Sequence, residues 1–269
     1  PLRRQRQMCI RDRLGDFASA KDSFSQVLNQ LPGEAAPKLA LAAVSELILQ
    51  EGGYQSSELL HDELSPAAAG LTHHLRDVPD AVFERMVADG ATDNTWSLTV
   101  TAPEGLRFHA TRLYALVWMT NPTTVSSAFG LARMLMCESE VDLAIKALDK
   151  VPNASRHYRM AQLTAILCLV AEGATEDHIR LAARRLEQIP STEPRFLQIK
   201  VAVIEAGLTY LRAHQASTNV ALFEYPFTIR GLRRGLAQTL RDQARVAPYP
   251  KHRYALVDLA NKVRPATWF

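Results

Sequence analysis

Apolar positions recur every three to four residues along most of this chain, and prolines punctuate the recurrence. From Leu14, the positions Phe17, Ala20, Phe24, Val27, Leu28 and Leu31 fall on one stripe of a 3.6-residue period until Pro32 closes it. PKLALAAVSELILQ (Pro37 to Gln50) predicts the next helix. After Phe108, HATRLYALVWM and SSAFGLARMLM predict a helix each, and DLAIKALDKVP predicts their partner, with Ala144 and Leu148 facing inward and Pro152 as the stop. RHYRMAQLTAILCLVAEG and TEDHIRLAARRLEQIP form a further pair, with Thr175 as the N-cap and Pro190 as the stop. Glu193 to His214 continue the array, STNVALFEYPF reads as an irregular connection, and two last helices are predicted over about Thr228 to Arg245 and Tyr249 to Val263.

The pattern repeats at a larger scale. Pro152 to Pro190 is a step of 38 residues, within the roughly 34 to 47 of helical-hairpin repeats. The segments VPNASRHY, IPSTEPRF and APYPKHRY each place an aromatic six residues after a proline: Tyr158 after Pro152, Phe196 after Pro190, Tyr254 after Pro248. A lone helical hairpin cannot bury its apolar face, so it stacks on the next, and each junction must stop one helix and anchor another. These three pairs are therefore expected to be structural junctions. The fold class expected is all-α: a right-handed superhelix (α-solenoid) of tetratricopeptide-type helical hairpins with an irregular insertion.

The organisation follows from where the rhythm holds. Residues 14–51 supply the first repeat helices and 108–269 the main array. Residues 52–107 form an insertion of low regularity, punctuated by GG, SP, VP, DG and AP and carrying WSLTVT, which alternates like a strand. Residues 1–13 (PLRRQRQMCIRDR) have no apolar run, fit no downstream period and are expected to be a non-native leader.

Composition narrows the class without choosing a function. Apolar residues make up 47% and charged residues 22% of 269, ordinary for a globular chain, and no apolar run is long enough to span a bilayer. A net charge of +3 argues against a nucleic-acid binder, so partners must be read locally. Cys9, Cys137 and Cys168 lack metal-ligand spacing and are odd in number, which suits a reducing cytoplasm with Cys137 and Cys168 as small core residues.

Catalytic chemistry finds only near misses. Asp16 to Ala18 (DFA) and Arg11-Asp12 look like kinase fragments, but no glycine-rich loop or magnesium-binding asparagine accompanies them. His73 and His74 are adjacent, which is wrong for a helical zinc pair, and Arg156 and His157 belong to a junction. No catalytic or metal site is expected in this chain. One pattern stands out: Arg230, Arg234, Arg241 and Arg245 share one face of a helix whose other face carries Leu232, Leu236, Leu240 and Ala244. That face is either simply solvated or a docking stripe for an acidic or phosphorylated partner.

FGLARMLM, VPNASRHYRMAQLT, IPSTEPRFLQIKVAVI, ASTN, YPFTIRGLR and HRYALVDLANKVRPATWF resemble the C-terminal tetratricopeptide region of the actinobacterial protein kinase G family of soluble serine/threonine kinases. The likeness covers Leu14 to about Gln50 and Phe108 to Phe269; Gly52 to Arg107 depart from it. The resemblance implies a parent protein with a rubredoxin-like metal module and a kinase domain using ATP and Mg, neither of them in this chain. It also implies that this region packs against the kinase domain, self-associates and places protein substrates, which include forkhead-associated regulators of 2-oxoglutarate metabolism. The other reading is a free-standing repeat adaptor for peptides or acidic proteins, with no nucleic acid and no membrane span.

Overall fold

The computed structural model describes residues 16–52, 103–121, 123–214 and 220–265. The expected leader, most of the expected insertion with its WSLTVT segment, His73, His74 and the closing TWF lie outside those residues. Ten helices and one two-residue hairpin make up the described elements, so the all-α, helical-repeat expectation holds. The chain divides into two compact units, residues 1–161 and 162–269.

The first unit carries α1 (Phe17–Gln30), α2 (Ala35–Glu51), α3 (Pro103–Thr120), α4 (Val125–Cys137) and α5 (Val141–Asp149). Each packs against its successor in the sequence, the pattern of stacked hairpins. The Asp16 carboxylate of the DFA sequence accepts the Ser19 N–H at 3.2 Å and so caps α1, a structural use that accounts for its place. Leu31, expected on the inner stripe, is 52% exposed because the helix ends one residue before it. α2 and α3, the described helices on either side of residues 53–102, pack on each other. α3 begins at Pro103, five residues before the regularity was expected to resume.

Close packing in this unit depends on one small residue and two polar ties. A Cβ at Gly130 on α4 would stand 2.3 Å from the Tyr114 ring on α3. The Tyr114 hydroxyl donates to Glu46 on α2 at 3.0 Å, and Trp118 Nε1 donates to the Ala147 carbonyl of α5 at 3.0 Å. A buried ion pair also joins Arg107 on α3 to Glu138 after α4. Ala144 and Leu148 face the core as the period required.

α6 (Tyr158–Leu169) follows, and the second unit continues with α7 (Glu176–Glu187), α8 (Phe196–His214), β1 (Ala221–Leu222), β2 (Tyr225–Pro226), α9 (Ile229–Val246) and α10 (Pro250–Val263). Thr175 Oγ1 accepts the His178 N–H at 3.2 Å, the cap read from the sequence. The connection expected to be irregular contains an antiparallel hairpin, Ala221 opposite Pro226 and Leu222 opposite Tyr225. Its seat is cut by glycines. A Cβ at Gly235 would meet the Tyr225 ring at 2.4 Å, and one at Gly231 would meet the Pro226 carbonyl oxygen at 2.3 Å. Leu222 and Phe227 are buried, both lying against Gly207 of α8.

The junctions at Pro152 and Pro190 are one structure used twice. Ser155 N–H bonds the Pro152 carbonyl and Tyr158 N–H the Ser155 carbonyl; Glu193 N–H bonds the Pro190 carbonyl and Phe196 N–H the Glu193 carbonyl, all at 2.9 to 3.0 Å. The helix starts at the aromatic in both. Yet Tyr158 and Phe196 are only half-buried, whereas Val151 and Ile189, just before each proline, are 3% and 4% exposed. The residue before the proline is the deeper anchor: it lies just past the preceding helix, its N–H bonded back to the Leu148 or Leu186 carbonyl, with its side chain buried.

The third junction does not follow the pattern. Pro248 is exposed in a three-residue link between α9 and α10, and Pro250 opens α10 four residues before Tyr254. Tyr254, on the second turn of a helix that buries only Ala260 fully, is 69% exposed and anchors nothing. The shared spacing coincided with a different backbone.

Candidate docking surface

α9 reads IRGLRRGLAQTLRDQARV, and its two sides are chemically distinct. Leu232, Leu236, Leu240 and Ala244 are buried at 3% exposure or less, packed against α8 and α10. Thr228 fixes the start by accepting the Gly231 N–H at 3.0 Å. With 100° per residue, Arg230, Arg234, Arg241 and Arg245 fall within an arc of about 60°, so the structure places all four on one face as the spacing required.

The four side chains do not present one uniform charge. Arg230 and Arg234 are exposed and make no ion pair among the described residues. Arg241 is half-buried and reaches across to Asn261 Oδ1 on α10 at 3.2 Å. Arg245 is paired with Asp242 three residues earlier, Nη1 to Oδ1 2.6 Å, and that carboxylate also accepts Gln238 Nε2 at 3.0 Å. The C-terminal half of the stripe is therefore partly neutralised and tied to its own surroundings. An acidic residue beside Arg241 and three before Arg245 was visible in the sequence as an i,i+3 pair.

Arg233 is the residue that spacing missed. It points out of the stripe toward α10, donating from Nε to the Val263 carbonyl at 2.8 Å and from Nη2 to the Arg264 carbonyl at 3.2 Å. Guanidinium groups suit the orphan carbonyls of a helix end, and this one locks the start of α9 to the end of α10. Only the tertiary pairing of two helices reveals that role.

Beside α9, the hairpin tip forms a second charged feature. Lys200 Nζ on α8 lies 5.0 Å from the Phe223 ring centroid and 5.6 Å from that of Tyr225, and pairs with both carboxylate oxygens of Glu224 at 2.9 and 3.2 Å. Phe223 has φ 54, a left-handed turn position that favours glycine. Burial alone would raise the Glu224 carboxyl, but hydrogen bonds from Lys200, the backbone and Tyr225 outweigh it and hold it below the ordinary value. The same surroundings, burial first, push the Tyr225 hydroxyl up.

Among the described residues no group of three or more His, Cys, Asp or Glu is arranged to hold a metal ion. Burial pushes the thiols of Cys137 and Cys168 up, which suppresses the reactive thiolate; Cys168 is a core residue as expected, whereas Cys137 is only half-buried. Arg156 and His157 hydrogen-bond to each other at 3.0 Å on the exposed turn of a junction. No helix among the described residues is long and apolar enough to cross a membrane.

Comparison with known proteins agrees with the repeat reading. The family described as protein kinase G tetratricopeptide repeat matches residues 11–267, a span that includes residues 52–107. The chain is 39% identical over 257 residues to serine/threonine-protein kinase PknG of Mycobacterium leprae, covering 94% of this chain and 26% of that protein. It is 39% identical over 258 residues to the protein of the same name from Mycolicibacterium smegmatis, again 94% of this chain and 26% of the relative. The chain thus spans about a quarter of the length of these curated relatives.

Proposed function

Since this chain belongs to the protein kinase G tetratricopeptide repeat family, we propose that it is the non-catalytic repeat region of a protein kinase G-like serine/threonine kinase. In this reading it is a scaffold in the cytoplasm on which the kinase domain packs, copies associate and protein substrates dock. The observation that carries the proposal is the extent of the match: nearly the whole chain aligns with about a quarter of each kinase, and the family that covers it is a repeat family. Phosphoryl transfer needs a phosphate cradle and magnesium ligands. The sequence offers no glycine-rich loop or catalytic loop to supply them, so ATP and Mg would be bound by the kinase domain and not here.

What this chain contributes is rigid placement. Stacked hairpins hold α9 by its leucine face and by Arg233, leaving Arg230 and Arg234 presented on a fixed backbone. Arginine forks on a fixed surface pair well with carboxylates, and such surfaces set encounter rate and register. The test begins with the coding sequence upstream of Leu14, which should read through a glycine-rich loop, an H-R-D loop and a D-F-G. The kinase domain encoded there, purified separately, should bind this chain in calorimetry. An upstream region without those motifs, or a kinase domain that does not bind, overturns the proposal and leaves a free-standing adaptor.

A further inference from the structure

Two stretches of the second unit contain no carboxylate. Residues 228–241 (TIRGLRRGLAQTLR) carry four arginines, and residues 259–265 (LANKVRP) carry Lys262 and Arg264. The structure joins them, because Arg233 binds the carbonyls of Val263 and Arg264 and so brings the start of α9 to the end of α10.

The local dipoles reinforce the charge. A helix N-terminus is positive and usually has acidic residues in its first turn, but α9 has none there. A helix C-terminus is negative, and at α10 that pole is covered by the Arg233 guanidinium. Four other arginines of the described chain face carboxylates: Arg107 with Glu138, Arg133 with Glu46, Arg180 with Glu176, Arg245 with Asp242. Arg230, Arg234 and Arg264 are exposed and have no such partner among the described residues. In a chain whose net charge is only +3, this concentration is local.

We propose that the corner formed by Arg230, Arg234 and Arg264 takes an extended acidic segment of a partner protein; this rests on reading the chain as a docking region and names the partner chemistry. The spacing favours a run of carboxylates over one compact phosphate. Arg230 and Arg234 are one turn apart, about 6 Å along the helix axis, and alternate residues of an extended chain are about 6.6 to 6.8 Å apart. Carboxylates at every second position therefore meet successive guanidinium groups, with Arg264 contributing from the neighbouring helix.

The test uses the full chain and a fluorescein-labelled short oligoglutamate peptide, followed by anisotropy across a salt titration. Wild type should bind at low salt, and Arg230→Glu with Arg264→Glu should bind about tenfold more weakly, the gap closing as salt screens the charges. Arg241→Gln with Arg245→Gln should change binding by no more than about twofold. Circular dichroism confirms that both variants remain folded. If the reversed variant binds as wild type, or the loss follows Arg241 and Arg245 instead, the corner is wrong while docking along α9 stands. Preference for pyrophosphate or for phosphatidylserine vesicles over the peptide overturns the partner chemistry. If wild type binds the kinase domain but not the peptide, this inference alone fails; if it binds neither, the docking reading fails with it.

Discussion

Arg133 on α4 closes a two-point fork over Glu46 on α2, Nε to Oε1 2.7 Å and Nη2 to Oε2 2.9 Å. The Glu46 side chain is 8% exposed and the Arg133 side chain 55%, so the arginine lies over a carboxylate that the core would otherwise leave bare. Tyr114 on α3 completes the tie. Removing one partner of a buried pair leaves a desolvated charge, so Arg133→Gln should cost about 2 to 3 kcal/mol. In a Glu46→Gln background the same change should cost much less. A double-mutant cycle by denaturant unfolding, with coupling of about 1 to 3 kcal/mol, is the check; additive costs would show that the fork contributes nothing.

Gly130→Ala tests the closeness of α3 and α4. Inside a helix, alanine in place of glycine ordinarily stabilises by about 1 kcal/mol. Here the added carbon meets the Tyr114 ring at 2.3 Å, and an aromatic buried on all sides cannot yield that distance cheaply. Overpacking should prevail, with a net loss of about 1 to 3 kcal/mol in thermal or urea unfolding.

The junction anchors can be ranked. Ile189→Ala removes a side chain that is 4% exposed and should cost about 2 to 4 kcal/mol. Phe196→Ala and Tyr158→Ala, at half-buried positions, should cost less than the change at Ile189 despite their larger rings. Tyr254→Ala should lie within about 0.5 kcal/mol of wild type. Melting of the four variants side by side gives the order directly.

The Lys200 clamp has a pH signature. The Glu224 carboxyl is held below its ordinary value in the folded chain. A depressed folded value contributes stability above the unfolded value and loses it as pH falls through the folded one. Lys200→Met should therefore melt below wild type by the full margin at neutral pH, and the margin should narrow as pH falls below about 4.5. A margin independent of pH from 7 down to 3 would assign the clamp to packing alone.

Much of the architecture was legible because helices announce themselves locally. The 3.6-residue stripe placed Leu232, Leu236, Leu240 and Ala244 inside, and a threonine before an acidic turn marked the cap at Thr175. The sequence similarity of VPNASRHY and IPSTEPRF signalled two copies of one turn, and the backbone hydrogen bonds repeat atom for atom. APYPKHRY misled because spacing records where residues stand in sequence and not which backbone joins them; Pro250 at the first helical position made a tighter link possible.

By itself, then, the sequence determined the helices, their caps, the face of α9 that carries the arginines and the family. Those properties depend on residues within a turn or two of each other, where periodicity and capping suffice. Tertiary structure alone decided which arginines are engaged. It turned Arg233 onto the end of α10, drew Arg241 to Asn261, set Arg133 over Glu46, and pressed Tyr225 into the gap left by Gly235. Each of these joins positions on different elements, and a contact between them exists only once their helices are packed at a fixed distance.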